Sequence, residues 1–322
     1  MDLSQYKWEI TPDIQSKLQE IEVLKKVFEK LPILESTAKI IRGRSILNSA
    51  VSSAQIESIP STIQFPRKEG KNLQLAYQWI YSGRDLPDLS VDIIKDLHSR
   101  IMRDLSGSAG QLRSEPWGIY NEAGMVIHLA PLHTGLPKLM REYINFVNKL
   151  LDNACVQAAV SQFIFEKIHP FADGNGRTGR LISAYVLHKS GFSLSGLVPI
   201  EKYINQHRNW YYRTLEPSHN CTRFIDFFIE AIIAQANQTL EEIKNPDLET
   251  PEGKLLPRRR EVFETIKDHP ECTFDFLHRR FISLNSLVLH RDLQHLQKFG
   301  LVKRLGSTRG AVYVAVSPGL GV

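Results

Sequence analysis

The chain has 322 residues, of which 42% are hydrophobic and 23% charged. That is the balance of an ordinary soluble globular protein, too long for one small core, so two or three units are expected. The net charge of +5 lies entirely beyond Pro257, where 11 basic residues face 6 acidic ones, and this asymmetry points to nucleic acid or another acidic partner at that end. No apolar stretch reaches the length of a membrane span. The segment Met1–Lys7 lacks the basic-then-apolar pattern of a secretory leader, so a cytoplasmic location is expected. Cys155, Cys221 and Cys272 are scattered and form no CxxC pair, which argues against a disulfide framework or a zinc knuckle and makes them packing residues.

The elements read as mainly α. Ile14, Leu18, Ile21, Leu24 and Phe28 recur at helical spacing after Thr11-Pro12, a cap and first-turn pair. Further helices are predicted over 34–56, 72–81, 91–105, 136–151, 154–168, 176–190, 201–215 and 221–243. One segment departs from this pattern. Trp117–Tyr120, the polar turn Asn121–Gly124 and Met125–Leu129 read as a hairpin, either a simple connection or an exposed edge able to capture an extended peptide. Asn245–Gly253 reads as a polar linker. Beyond it come helices at 258–269, 273–281 and 286–299, then strands at 301–305 and 311–315 around a turn, the layout of a winged helix-turn-helix.

The chemistry concentrates in His169-Pro170-Phe171-Ala172-Asp173-Gly174-Asn175-Gly176-Arg177-Thr178-Gly179-Arg180. Pro170 ends the preceding helix at about His169, which places that imidazole at the mouth of a loop. Gly174-Asn175-Gly176 allows successive backbone N–H groups to converge on one anion, and the next helix adds its positive end. Arg177 and Arg180 share one side of that helix and form a phosphate clamp. Asp173 is placed to meet a Mg²⁺ on the same phosphates, and His169 is the nearby group suited to accept a hydroxyl proton near neutrality. Nine specified positions would recur by chance at roughly 10⁻¹⁰ per starting point.

This run resembles the signature of the Fic family, His-Pro-Phe-x-(Asp/Glu)-Gly-Asn-Gly-Arg-x-x-Arg, and agrees at every specified position. Gly110-Gln111-Leu112-Arg113 resembles the approach to the family's flap hairpin, and the likeness extends over about residues 30–240. The resemblance implies a Fic-type helical bundle with a β-hairpin flap. Its parts would be an N-terminal helical region at 1–109, a catalytic core at 110–244, a linker at 245–256 and a winged helix at 257–322. It implies a protein adenylyltransferase using ATP and Mg²⁺. His169 would deprotonate a target Tyr, Ser or Thr hydroxyl, and Asp173 would hold the metal. Gly174, Asn175, Gly176, Arg177, Thr178, Gly179 and Arg180 would bind the nucleotide's phosphates, with Tyr211 and Tyr212 beside the nucleobase.

Upstream, Ser53 and Glu57 resemble the family's inhibitory motif, (Ser/Thr)-x-x-x-Glu-(Gly/Asn), although Ser58 stands where Gly or Asn is usual. The likeness implies that Glu57 forms a bidentate pair with Arg180 and holds ATP in an unproductive pose. In the C-terminal region, Arg258, Arg259, Arg260, Arg279, Arg280 and Arg309 are candidates to meet DNA phosphates. His290, Arg291, Gln294, His295 and Lys298 are the polar face of a recognition helix, with protein contact or dimerisation as the alternative use. DNA and a second copy of the chain are thus candidate partners, and no membrane is expected. The competing functional reading is a DNA-binding regulator whose Fic domain senses ATP or serves as scaffold.

Overall fold

Thr11 starts the first long helix by accepting a hydrogen bond from the Ile14 N–H, with Pro12 next at a position where no N–H is required. That helix, α1 (Pro12–Lys30), buries Ile14, Leu18, Ile21, Leu24 and Phe28, the five residues its spacing singles out. The computed structural model describes residues 1–57, 67–82, 85–120, 126–150, 153–216, 218–244, 251–269, 272–282, 284–306 and 310–316. The expected turn Asn121–Gly124, Met125, linker residues 245–250, Ser58 and Arg309 lie outside that set.

Among the described residues the chain is mostly helical. After α1 come α2 (Glu35–Glu57), α3 (Arg67–Ile80), α4 (Val91–Ile101), α5 (Leu136–Lys149), α6 (Ala154–Ile168) and α7 (Asn175–Lys189). Then follow α8 (Ile200–Gln206), α9 (Arg208–Thr214) and α10 (Thr222–Lys244). Two strands, β1 (Gly118–Tyr120) and β2 (Val126–Leu129), pair antiparallel between α4 and α5, with a register shift between Ile119 and Tyr120. The helix expected over 201–215 is two helices, broken at His207, whose φ of −110° and ψ of 32° leave helical geometry. No Gly or Pro marks that break in the sequence, so periodicity ran through it. Helix α3 begins at Arg67, five residues earlier than its apolar pattern indicates, and this extra turn carries Glu69.

The chain divides into two compact units: residues 1–32 with 45–239, and residues 33–44 with 240–322. In the first, α6 is buried nearly all round, including Val156, Val160, Phe163, Ile164 and Phe165, as expected of an apolar helix at a core's centre. Helix α7 is almost as deeply buried, and Gly179 lets it approach Gln162 and Glu166 of α6. The second unit has α11 (Pro257–Asp268), β3 (Cys272–Thr273), α12 (Phe274–Arg280), α13 (Ser286–Lys298), β4 (Val302–Leu305) and β5 (Val312–Ala315). Its antiparallel sheet runs in the order β3-β5-β4. Val262, Phe263, Leu277, Leu289, Leu293, Leu296 and Tyr313 are part of its core. The short strand β3 was not legible in the sequence. Two residues carry no period, and only pairing of Cys272 with Tyr313 and Thr273 with Val312 defines it.

Candidate active site

His169 caps the C-terminus of α6 in the left-handed region, at φ 48° and ψ 59°. For a residue with a side chain this conformation costs on the order of 1–2 kcal/mol, so neighbouring contacts must hold it. Its N–H donates to the Phe165 carbonyl at 3.0 Å, and its own carbonyl accepts from Arg113 Nε at 2.8 Å. Arg113 also donates to the carbonyls of Glu115 and Pro131, so one buried guanidinium ties His169 to both roots of the hairpin. The imidazole Nδ1 lies 3.3 Å from the Glu166 carbonyl. A carbonyl only accepts, so Nδ1 is the donor in this contact, and in the neutral ring Nε2 is then the acceptor. The indole of Trp117 stacks on the imidazole, with centroids 3.5 Å apart and planes inclined by 22°.

The loop after His169 is held by its own side chains. Phe171 is fully buried, a contribution of about 1.5–3 kcal/mol to anchoring the turn. Asn175 Oδ1 accepts from the Phe171 N–H at 2.9 Å, and its Nδ2 donates to the Phe171 carbonyl at 2.8 Å. Asn175 therefore closes the loop and shapes the cradle through its side chain. His98, from α4, accepts the Gly110 N–H on Nδ1 at 2.8 Å and donates from Nε2 to the Asp173 carbonyl at 2.9 Å. Its ring also stacks on Phe171 at 3.7 Å, and burial pushes its pKa down to about 4, which keeps the ring neutral. Gly174 begins α7 at φ 78°, and a Cβ there would stand 2.9 Å from Met102 Sδ. Both conformation and space require glycine at that position. The next N–H groups, of Asn175, Gly176 and Arg177, belong to the first turn of α7, where a helix supplies them no internal acceptor.

Arg177 does not reach across the cradle. It is buried, with Nη1 2.5 Å from Glu69 Oε1 and Nη2 2.9 Å from Asp173 Oδ1. The expectation of two arginines facing one anion is corrected accordingly, since a guanidinium this deep needs a carboxylate in the resting state. Asp173 is 69% exposed, and the same Oδ1 accepts the Gly174 N–H at 2.6 Å. Arg180 is 1% exposed. Its Nε donates to Ser53 Oγ at 2.9 Å, and its Nη2 donates to the Ser53 carbonyl and to Glu57 Oε1, both at 2.9 Å. The pair with Glu57 thus has one contact and is not bidentate, because Ser53 takes the second donor edge. Burial alone would favour neutral Arg180, but Glu57 leads a set of attractions that outweighs it and raises its pKa.

Three residues expected to bind nucleotide are deeply packed. Thr178 is fully buried and donates its hydroxyl to the Gly174 carbonyl at 2.8 Å. Gly179 faces Glu166, whose Oε1 would be 2.9 Å from a Cβ there. Tyr211 is 1% exposed, and its hydroxyl takes a hydrogen bond from Gln162 at 3.0 Å and lies 3.4 Å from Arg180 Nη1. Tyr212, by contrast, is 41% exposed and donates its hydroxyl to the Ile56 carbonyl at 2.9 Å, at the end of α2. Sequence reasoning missed Glu69, His98 and Glu166. Each acts through a contact distant along the chain or through burial, neither of which a motif or a period records.

A helical bundle with a left-handed histidine, a glycine-started helix and a hairpin rooted on that histidine is similar in fold to solved Fic proteins. Residues 88–187 match the model of the Fic/DOC family. A solved Fic family protein from Desulfovibrio desulfuricans shares the fold with a TM-score of 0.60 and 21% identity, over 97% of this chain and 98% of that one. Protein adenylyltransferase fic-1 of Caenorhabditis elegans is 24% identical over 194 residues, 59% of this chain and 36% of its own length. A probable protein adenylyltransferase of Aquifex aeolicus is 33% identical over 91 residues, 27% of this chain and 28% of its own. The chain spans about a third of the length of these curated relatives.

Proposed function

We propose that this protein transfers AMP from ATP to a hydroxyl side chain of a protein. The observation that carries the reading is the join of His169 and the first turn of α7 through one short loop, with Nδ1 of the histidine turned to the Glu166 carbonyl. The backbone N–H groups of Asn175 and Gly176 and the positive end of α7 receive the nucleotide's phosphates. Nε2 of His169 accepts the proton of the incoming hydroxyl. The hydroxyl oxygen then bonds to the α-phosphorus, and the bond to the departing pyrophosphate breaks. Tyr212, exposed beside the end of α2, is the candidate to line the base. The hairpin, held at its roots by Arg113, is the candidate edge for the target segment.

Mg²⁺ fits this donor set. It draws most of its ligands from phosphates and water, so the one exposed carboxylate of Asp173 suffices on the protein side. Among the described residues no group of three His, Cys, Asp or Glu side chains gathers to hold a metal. When bound, Mg²⁺ would neutralise phosphate charge.

Glu57 is the proposed brake. It already holds Nη2 of Arg180, the guanidinium that a γ-phosphate would claim, and its carboxylate lies over Gly176, at the start of α7. The test of the reaction is labelling with α-labelled ATP. Label should enter protein and be lost in His169→Ala; equal labelling of that variant would remove His169 from the role of base.

The second unit supports a further reading as a winged helix that binds DNA. Asn285 caps α13, which exposes His290, Arg291, Gln294, His295 and Lys298 while burying Leu289, Leu293 and Leu296. Arg279 and Arg280 are exposed as well. Arg258 and Arg259 both bond the buried Asp292 of α13, at 2.6 Å and 2.9 Å. Retention on duplex DNA that weakens steeply with salt supports this use; no retention at low salt leaves protein contact as its purpose. The three free cysteines are buried, in keeping with a cytoplasmic protein.

A further inference from the structure

We infer that Trp117 is a positioning residue for His169, fixing the imidazole against the root of the hairpin; this rests on the AMP-transfer reading only for its kinetic consequence. The stack at 3.5 Å and 22° is the closest ring pair recorded among the described residues, and it covers one face of the imidazole. Trp117 is itself fixed. Its carbonyl accepts the Ala130 N–H at 3.0 Å, one pair before the first β1–β2 partners, Gly118 and Leu129. On the other side, Arg113 clamps the His169 carbonyl together with those of Glu115 and Pro131. The hairpin root therefore grips the histidine twice, by its backbone through Arg113 and by its ring through Trp117.

This double grip has a physical purpose. A left-handed residue at a helix terminus directs its side chain outward, where the ring could swing about χ1 and χ2. The Nδ1 contact with the Glu166 carbonyl, at 3.3 Å, lies along one axis of the ring and does not by itself oppose a turn about that axis. The flat indole removes the remaining freedom, since turning the imidazole out of its plane would force it into the stacked ring. A strand laid on the hairpin takes its register from the same backbone that holds Trp117, so Nε2 and the target hydroxyl are referenced to one element. Misplacing a base by about 1 Å can cost about a hundredfold in rate, whereas nucleotide binding to the α7 cradle does not involve the indole.

The test uses the full chain in a Glu57→Gly background, with Trp117→Ala, Trp117→Leu and Trp117→Phe added singly. In the parent, the indole should shield the His169 ring protons in the proton spectrum. That shielding should vanish in the Ala and Leu variants and persist in part with Phe. In transfer assays the Ala and Leu variants should lose kcat by about ten- to a hundredfold, with KM for Mg·ATP within about twofold, and Phe should recover most of the loss. Unshielded His169 protons in the parent would overturn the inference whatever the activity. Normal kcat in Trp117→Ala would also overturn it, as would a loss carried by KM. A parent that shows the shielding but transfers nothing would instead defeat the AMP-transfer reading and leave the ring placement standing.

Discussion

Glu57 meets Arg180 through one contact, Oε1 to Nη2 at 2.9 Å, and the two side chains differ sharply in exposure, 35% against 1%. The arginine is fixed from below by Ser53 and borders the Tyr211 hydroxyl. The glutamate is the last residue of α2, half in solvent. Removing it leaves Arg180 in place with water able to reach the vacated edge. That asymmetry suits a detachable inhibitor better than a structural ion pair.

The carboxylate of Glu57 also occupies the space above Gly176, where a Cβ would stand 2.2 Å from Oε1. Gly176→Ala should therefore displace the flexible Glu57 carboxylate and break its contact with Arg180, a cost of about 1 kcal/mol that the better helix propensity of alanine partly offsets. In the Glu57→Gly background the same substitution should cost clearly less. A thermodynamic cycle of the four proteins by urea unfolding measures this, with a coupling of about 1 kcal/mol expected. Strict additivity would mean that the carboxylate does not rest there.

Ser53 presents both its hydroxyl and its carbonyl to Arg180. Ser53→Ala keeps the carbonyl and leaves buried Nε without its acceptor, at a cost of about 1–3 kcal/mol. The freed guanidinium edge can turn toward Glu57, so basal transfer should rise far less than in Glu57→Gly. Thermal unfolding with a labelling assay checks both halves; a rise equal to that of Glu57→Gly would mean that Ser53 is itself the main restraint.

Glu166 gives a pH signature. Its Oε1 is buried without a hydrogen-bond partner, and burial, then the nearby Glu57 charge, raise its pKa from 4.5 to about 8. The folded state therefore holds a proton that the unfolded chain has released across that window. Relative stability is full below about pH 4.5 and falls as pH rises through about 8, at up to about 1.4 kcal/mol per pH unit. Glu166→Gln removes this term. Wild type should lose Tm relative to the variant between pH 5 and 8 and then run parallel to it. Parallel curves throughout would show that the carboxyl ionises freely in the fold.

The sequence made the helices legible where one face is apolar, as in α1, and it made the loop legible because glycine, proline and charge stand at fixed offsets. It could not show which way a guanidinium turns. Arg177 and Arg180 are three residues apart on one helix, yet they are drawn to different partners, Glu69 on α3 and the Ser53–Glu57 turn of α2. Those partners lie more than 100 residues away in the chain. Tyr211 and Tyr212 are adjacent and similar, and only the break at His207 and the packing of α9 decide that one is buried and the other exposed. The Trp117 stack was hidden for a related reason: a strand pattern assigns faces, while the last residue before a strand is placed by what it meets.

The proposed adenylate transfer is built around His169 and released at Arg180. The direct measurement is the intact mass of Glu57→Gly after incubation with ATP and Mg²⁺, alone and with candidate target proteins, beside wild type and the Glu57→Gly/His169→Ala double variant. One adenylate or more should be gained on protein with Glu57→Gly, little with wild type and none with the double variant. No gain with Glu57→Gly on any protein, or an equal gain in the double variant, would contradict the proposed transfer.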